Sequence, residues 1–262
     1  MKKLFFAMMI GTVVMACTSK TDNPFFKSYE NEYGAPPFDK IKTEHYMPAF
    51  SEGIKQHQAE IDSIANNTEE PTFANTIEKM DFSGVLLKKV SSAFFNVQSA
   101  DTNDDLDSIA QEITPVLTEH NDNIYLNDKL FQRVKKLYDN RANLGLTPEQ
   151  NRLLEKYYKN FIRSGAALND AQKSQLREIN KELSSAELTF AQNVLAETNA
   201  YKKFVSNKDE LKGLPEGVIQ AAAESAKEAG KEGQWLFTTQ KSSFIPVLQY
   251  AENRELRKEL LM

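Results

Sequence analysis

Three histidines and one cysteine are the side chains of this chain most suited to binding a catalytic metal. No two of His45, His57 and His120 lie four residues apart, as the His-Glu-x-x-His helix requires to place two imidazoles one turn apart for zinc. His57 and His120 fall on apolar helical faces, which favours structural histidines bonded to their neighbours. They could still approach each other across a helical bundle and form a weak, fortuitous metal site.

Other catalytic patterns are missing from the sequence as well. It contains no Gly-x-Ser-x-Gly elbow, no Walker loop and no Gly-x-Gly-x-x-Gly. The acidic stretch "DTNDDLD" lacks the central glycine and the final glutamate of an EF-hand loop, so a helix N-terminus is the simpler interpretation. Glu44 beside His45 is weak evidence for an oriented imidazole. We therefore assign no catalytic and no metal-binding residue within this chain.

Charge and composition restrict the class of protein further. The chain has 262 residues, a net charge of −5 and no visible stripe of lysine and arginine, which argues against a nucleic-acid partner. Ten glycines are few for this length, and good helix formers dominate. These features predict a mainly α protein.

The N-terminus has the organisation of a bacterial lipoprotein signal. Lys2 and Lys3 precede the apolar run "LFFAMMIGTVVMA", which is too short to span a bilayer comfortably. Ala16 and Cys17 end the run as "VMAC", which resembles a lipobox. We predict a signal peptide over 1–16, lipid attachment at Cys17 and anchoring in the bacterial cell envelope, on the periplasmic side or the surface. The alternative is an ordinary signal peptide with an incidental cysteine.

Residues 17–42 are predicted to form a tether and an extended arm. The segment is polar up to Asn23 and then carries prolines without a helical period. Exposed tethers seldom carry many aromatic side chains, so we expect the arm to pack along the body of the protein. The aromatic anchors are Phe25, Phe26, Tyr29, Tyr33 and Phe38.

Residues 43–200 are predicted to form an antiparallel helical bundle, because apolar residues recur there every three or four positions. One continuous helix is expected from Thr72 past Gly84, with the glycine at a close helix crossing. "TPEQ" predicts a helix start, with Thr147 and Gln150 forming a capping box around Pro148. A long helix should follow Asn169. Its predicted apolar face is Leu176, Ile179, Leu183, Phe190 and Val194.

Residues 201–262 change character. "YKKFVSN" and "GQWLFTTQ" are short runs rich in aromatic and β-branched residues, and we expect them to pair as a small antiparallel two-stranded ribbon. A helix between them should stop at Gly230. The final stretch "QYAENRELRKELLM" predicts one amphipathic helix with no stop signal, so the chain is either a complete domain or the front part of something larger.

The order of several motifs resembles the N-terminal half of the thimet oligopeptidase and peptidyl-dipeptidase family, and is most similar to the bacterial peptidyl-dipeptidases. The matching segments include "PPFDKIKTEHYMPAF", "PTFANTIEKMDFSGVLLKKV", "RLLEKYYKNFIRSGAAL" and "LPEGVIQAAAESAKEAGKEGQWLFTT". The resemblance implies a zinc metallopeptidase that releases C-terminal dipeptides from short peptides. It also implies that the zinc ligands lie beyond this chain, in a missing catalytic half.

On this interpretation residues 43–262 form one wall of the substrate channel, the catalytic half begins at about 201, and the 262 residues alone bind no zinc and are inactive. The alternative is a complete, non-catalytic, lipid-anchored helical binding module. A pseudogene or a fragmentary gene is the third possibility.

Overall fold

A computed structural model of the chain describes residues 22–31 and 33–262. It divides into two compact units, the first ending at Ser185 and the second running Ala186–Met262. The predicted signal peptide and Cys17 lie outside the described residues, and the domain boundaries set at 16, 42 and 200 stay predictions. Within the described part of the chain, no helix is both long and apolar enough to cross a membrane.

Helices dominate the first unit, as the sequence predicts. Their bounds are α1 Thr43–Ala65, α2 Lys79–Asp81, α3 Val85–Ala100, α4 Asp104–Tyr125, α5 Asp128–Asp139 and α6 Pro148–Arg163, with a π-helical segment at Phe73–Glu78 directly before α2. Helix α7, Asp170–Ala200, begins in the first unit and continues past its end at Ser185.

Side-chain caps set the starts of α4, α5 and α6 in this unit. Thr147 Oγ1 accepts a hydrogen bond from Gln150 N at 3.2 Å, and Gln150 Oε1 accepts one from Thr147 N at 3.0 Å. This confirms the capping box predicted for α6. The acidic stretch begins α4, where Asn103 Oδ1 accepts from the backbone N–H of Leu106. The stretch is thus a helix N-terminus, as expected.

Buried side chains of the first unit include a group of aromatic rings and a larger apolar cluster. Aromatic rings join the arm to α1 and α3, with Tyr46 packed against Phe25 and Phe94 at centroid distances of 5.5 and 5.0 Å. The larger apolar cluster draws on α1, the segment before α2, and α5 and α6. Its principal members are Ile61, Ile64, Ile77, Met80, Leu130, Phe131, Val134, Leu137, Leu154 and Phe161.

The predicted single helix from Thr72 past Gly84 is wrong. Helix α2 ends at Asp81, and Gly84 stands at the N-cap of α3 with φ +69° and ψ +27°. A left-handed backbone of this kind favours glycine and ends a helix. The close crossing lies elsewhere, at Gly53 of α1, where an added Cβ would come within 3.0 Å of the backbone of Leu87 in α3.

A buried arginine fixes the loop that precedes α2. Arg133 of α5 donates from Nη1 to the carbonyl oxygens of Asn67 and Glu69, at 2.7 and 3.0 Å. Its Nη2 donates to Asn75 Oδ1 and Thr76 Oγ1, at 3.0 and 3.2 Å. The guanidinium therefore satisfies carbonyl groups that a loop crossing a helical bundle would otherwise leave unpaired.

The described part of the arm packs on the body between Phe25 and Tyr29. Lys89 Nζ of α3 donates to the carbonyl oxygens of Phe25 and Lys27 and lies 3.7 Å from the Tyr29 ring centroid. Tyr33 and Phe38, predicted as anchors, are 85% and 51% exposed. Nor is the arm extended throughout, since it forms a 3-10 turn at Pro24–Phe26.

The second unit contains the predicted ribbon. Strand β1, Lys203–Val205, pairs antiparallel with β2, Trp235–Phe237, with Phe204 opposite Leu236. Between the strands lies α8, Glu216–Glu228, and Gly230 follows it with φ +74°, as expected for a helix stop. A mainly α fold with a small ribbon near its C-terminal end is confirmed.

The predicted single C-terminal helix is wrong. Helix α9 covers Lys241–Tyr250, the chain turns extended at Ala251, and α10 covers Arg254–Leu261. Asn253 caps α10, because its Oδ1 accepts from the backbone N–H groups of residues 255 and 256 at 3.0 and 3.2 Å. The apolar face of α10 is buried within the unit through Leu256 and Leu260.

Helix α7 keeps much of its predicted apolar face open to solvent. In the first unit Ile179 and Leu183 are exposed, and in the second unit Phe190 and Val194 are exposed, Phe190 to 70%. The periodicity thus predicted the apolar face of α7 but not what covers it.

Candidate functional site

The two histidines on apolar faces meet in the first unit. His57 on α1 and His120 on α4 lie with ring centroids 4.9 Å apart and the ring planes at 64°. Nε2 of His120 is 3.0 Å from Nδ1 of His57, a hydrogen-bond distance. The structure therefore brings together residues that are remote in sequence, as α1 packs against α4.

The break between α2 and α3 completes this histidine cluster, which we define as His57, His120, Ser83, Gly84 and Glu60. Nε2 of His57 is 3.1 Å from Ser83 Oγ, and Ser83 Oγ donates to the carbonyl oxygen of Met80 at 2.7 Å. Glu60 Oε2 accepts from the backbone N–H of Gly84 at 2.7 Å. Sequence analysis found the two histidines but missed Ser83 and Glu60, because neither belongs to a motif.

Burial keeps both imidazoles of the histidine cluster neutral. It lowers the pKa of His57 to about 4, with His120 and Lys88 adding to the effect and Glu60 opposing it. Burial also lowers the pKa of His120. At pH 7 the pair is therefore an uncharged hydrogen-bonded unit, suited to holding helices together.

A surface cavity of about 580 Å³ opens beside the histidine cluster. Glu60 and Ser83 contribute to its wall, and Ile64, Phe82 and Ala74 supply apolar surface. The side chain of Phe82 is 71% exposed at the rim. The cavity is large enough to receive one bulky side chain of a peptide or partner protein.

A second polar cluster joins α4 to α7 within the first unit. The buried Asp122 accepts from Asn180 Nδ2 at 2.8 Å, and Arg177 Nη1 donates to Asn123 Oδ1 at 2.9 Å. Burial raises the pKa of the Asp122 carboxyl, although the hydrogen bond from Asn180 and the charge of Arg177 oppose that shift. These groups satisfy one another, which is the behaviour of a structural helix contact.

The third histidine is part of a helix start. His45 Nδ1 accepts from the backbone N–H of Lys42 at 2.9 Å, where α1 begins. Its ring is thus used in capping, and no bond orients it toward Glu44. Within residues 22–31 and 33–262, no three or more histidine, cysteine, aspartate or glutamate side chains converge on a point that could hold a metal ion.

Comparison with known proteins decides the relationship. The chain is 38% identical to the dipeptidyl carboxypeptidase of Escherichia coli over 242 residues, which is 92% of this chain and 36% of that protein. It is 35% identical to the Salmonella typhimurium dipeptidyl carboxypeptidase over 91% of the chain and 35% of the relative. Oligopeptidase A of Haemophilus influenzae is 30% identical to the chain, over 88% of the chain and 34% of the relative. No protein-family model matches the sequence.

The chain belongs to the thimet oligopeptidase and peptidyl-dipeptidase family. It spans about a third of the length of the curated relatives that it matches. Nearly all of the chain is covered by these matches, so both compact units, and with them the histidine cluster and the ribbon, lie in a region shared with this family.

Proposed function

We propose that the chain is part of a peptidase that releases C-terminal dipeptides from short peptides, and that it helps to enclose the substrate. The observation that carries this proposal is the 38% identity to a dipeptidyl carboxypeptidase along 92% of the chain. A relationship of that length joins both compact units to the peptidase and is more than a local motif.

The described residues do not fit the zinc ion that the family resemblance implies. A zinc site needs three or four convergent ligands, and no such group exists among residues 22–31 and 33–262. The nitrogens of His57 and His120 that face each other are already hydrogen-bonded, and His45 caps α1. We therefore assign the zinc ion and the reacting atoms to the part of the relatives' length that this chain does not span.

The role left to this chain is to confine and orient the peptide. Long helices with open apolar side chains suit that role, because an extended peptide or a neighbouring domain can cover them. Phe82 beside the cavity in the first unit and Phe190 in the second unit are side chains of this kind. Confinement between walls would hold a short peptide in register for attack and exclude folded proteins.

The experiment compares the chain with the same chain extended by the sequence that follows it in its gene. Both are assayed for release of C-terminal dipeptides from short N-blocked peptides, and bound zinc is measured after dialysis. We expect activity and one zinc per molecule only in the extended protein. Tight one-to-one zinc with chelator-sensitive dipeptide release by the 262-residue chain would contradict the proposal. A stop codon after Met262 with a stably folded product would favour the non-catalytic binding module.

Membrane anchoring through Cys17 is the second part of the proposal. The sequence "VMAC" after an apolar run supports it, and acylation by several chains would anchor the protein stably where a single chain is marginal. Substitution Cys17→Ser should move the protein from the membrane fraction to the soluble envelope fraction. Equal fractionation of the wild type and the variant would refute lipid attachment.

A further inference from the structure

The hydrogen bonds of the histidine cluster have only one possible direction. The carbonyl oxygen of Met80 can only accept, so the single proton of Ser83 Oγ is committed to it at 2.7 Å. Ser83 Oγ must then accept from His57 Nε2 at 3.1 Å, which places a proton on that nitrogen. The carbonyl oxygen of Met80, as the last acceptor in this series of hydrogen bonds, therefore determines where each preceding group carries its proton.

The same reasoning fixes the tautomer of both rings. A neutral His57 with a proton on Nε2 has a bare Nδ1, which accepts from His120 Nε2 at 3.0 Å. His120 therefore also carries its proton on Nε2, and its Nδ1 is free of this chain of bonds. A proton added to His120 Nδ1 leaves both hydrogen bonds of His57 intact, whereas a proton added to His57 Nδ1 sets two N–H groups against each other.

We propose that His120, His57 and Ser83 form an acid-sensitive latch that holds α4 and the α2–α3 break against α1. One proton is accepted at His120 and strengthens its bond to His57, because the donor is then charged. A second proton must go to His57, where it breaks the hydrogen bond from His120, so the latch opens when this proton is bound. The two protons are taken up in coupled steps that belong to the pair.

The charges around the latch do not remove this sensitivity. Glu60 of α1 lies close enough to favour an imidazolium at His57, but it accepts the backbone N–H of Gly84. Lys88 of α3 acts in the opposite sense. The break between α2 and α3 contributes the uncharged Ser83 hydroxyl and the Gly84 backbone, and α4 contributes the His120 ring.

Ring nitrogen NMR on the whole chain tests the tautomers. At pH 7 we expect both His57 and His120 to carry their proton on Nε2, with His120 titrating first as the pH falls and His57 staying neutral until the helices separate. A proton on Nδ1 of His57 at pH 7, or His57 titrating before His120, would overturn the assigned direction.

Amide hydrogen exchange read by mass spectrometry tests the opening. After correction for the intrinsic pH dependence of exchange, segments 80–88 and 113–125 should exchange several-fold faster at pH 4.5 than at pH 6.5. His120→Gln keeps a neutral N–H donor but removes the charge that strengthens the bond to His57 and repels a proton there, so the opening should occur at a higher pH. His45→Gln is the matched control, which should keep the wild-type profile.

The latch is refuted if His120→Gln opens at the same pH as the wild type, or if His45→Gln shifts the profile equally. If His120→Gln does not fold, the ring NMR of the wild-type chain decides alone. The result does not depend on peptidase activity, so it stands or falls separately from the proposed function.

Discussion

Replacing Gly84 by alanine tests the packing of the α2–α3 break directly. The backbone there has φ +69°, and an added Cβ would lie 2.9 Å from both Cγ and Nδ1 of His57. Gly145 is the matched control, since it has φ +61° and an added Cβ would meet nothing within 4 Å. Both substitutions incur the same backbone cost, and only the first one meets a neighbouring side chain.

The two costs can be worked out separately. Alanine in a left-handed conformation costs about 1–2 kcal/mol, offset by about 0.4–1 kcal/mol because the unfolded chain loses freedom. Gly145→Ala should therefore destabilise the first unit by about 1 kcal/mol. At Gly84 the methyl group must also displace the ring nitrogen that accepts from His120. Loss of two hydrogen bonds at about 1 kcal/mol each brings the expected total to about 3 kcal/mol.

Urea unfolding followed by far-UV circular dichroism measures the free energy of unfolding of both variants, because most of the described chain is helical. Trp235 is the single tryptophan and lies in the second unit, so its fluorescence reports whether that unit is disturbed. In a His57→Ala background the extra cost of Gly84→Ala should fall by about 2 kcal/mol. Equal destabilisation by Gly84→Ala and Gly145→Ala would show that the ring moves aside freely, and the reasoning would be wrong.

Three further outcomes are expected. The free energy of unfolding should fall as the pH is lowered from 6.5 toward 4, because the unfolded state binds more protons than a folded state in which the pKa of His57 is about 4. The loss from His57 alone is at most about 3 kcal/mol, and a stability that does not change with pH would contradict it. Arg133→Met should cost about 2–4 kcal/mol by leaving loop carbonyls unpaired, whereas Lys135→Met on the exposed side of α5 should leave the urea midpoint unchanged. Asn253→Ala should destabilise the second unit by about 1 kcal/mol through loss of the α10 cap, and an unchanged Trp235 transition would count against that cap.

Local chemistry made much of the fold predictable. Caps and stops such as Thr147, Gln150 and Gly230 act through bonds to their own neighbours, so their residue types suffice to place helix ends. The ribbon was predictable because its strands are short aromatic runs on either side of one helix. Signals of this kind do not require knowledge of the rest of the molecule.

Periodicity failed where two helices follow each other with their apolar faces on the same core. Apolar spacings of three and four continue through Gly84 and through Ala251, although the helix ends at both places. The spacing of apolar residues cannot distinguish one helix from two consecutive helices whose apolar faces pack on the same core. The glycine was the available signal at the first break, and the asparagine cap at 253 was the signal at the second.

The histidine cluster could not be predicted because it depends on how helices cross. His57 and His120 were recognisable as partly buried, but their contact exists only because α1 packs against α4. Ser83 enters through the break that periodicity missed. An error in one helix boundary thus concealed a member of the site.

Two glycines and one histidine together explain why α3 lies where it does. Gly53 lets the backbone of Leu87 approach α1 to within the reach of a Cβ, and Gly84 lets the chain turn into α3 without striking the His57 ring. Because Nδ1 of His57 is bonded to His120, α4 limits how far that ring can move without losing the bond. The position of α3 is therefore coupled to α4 through one imidazole, and a change in the charge of that imidazole must act on three helices at once.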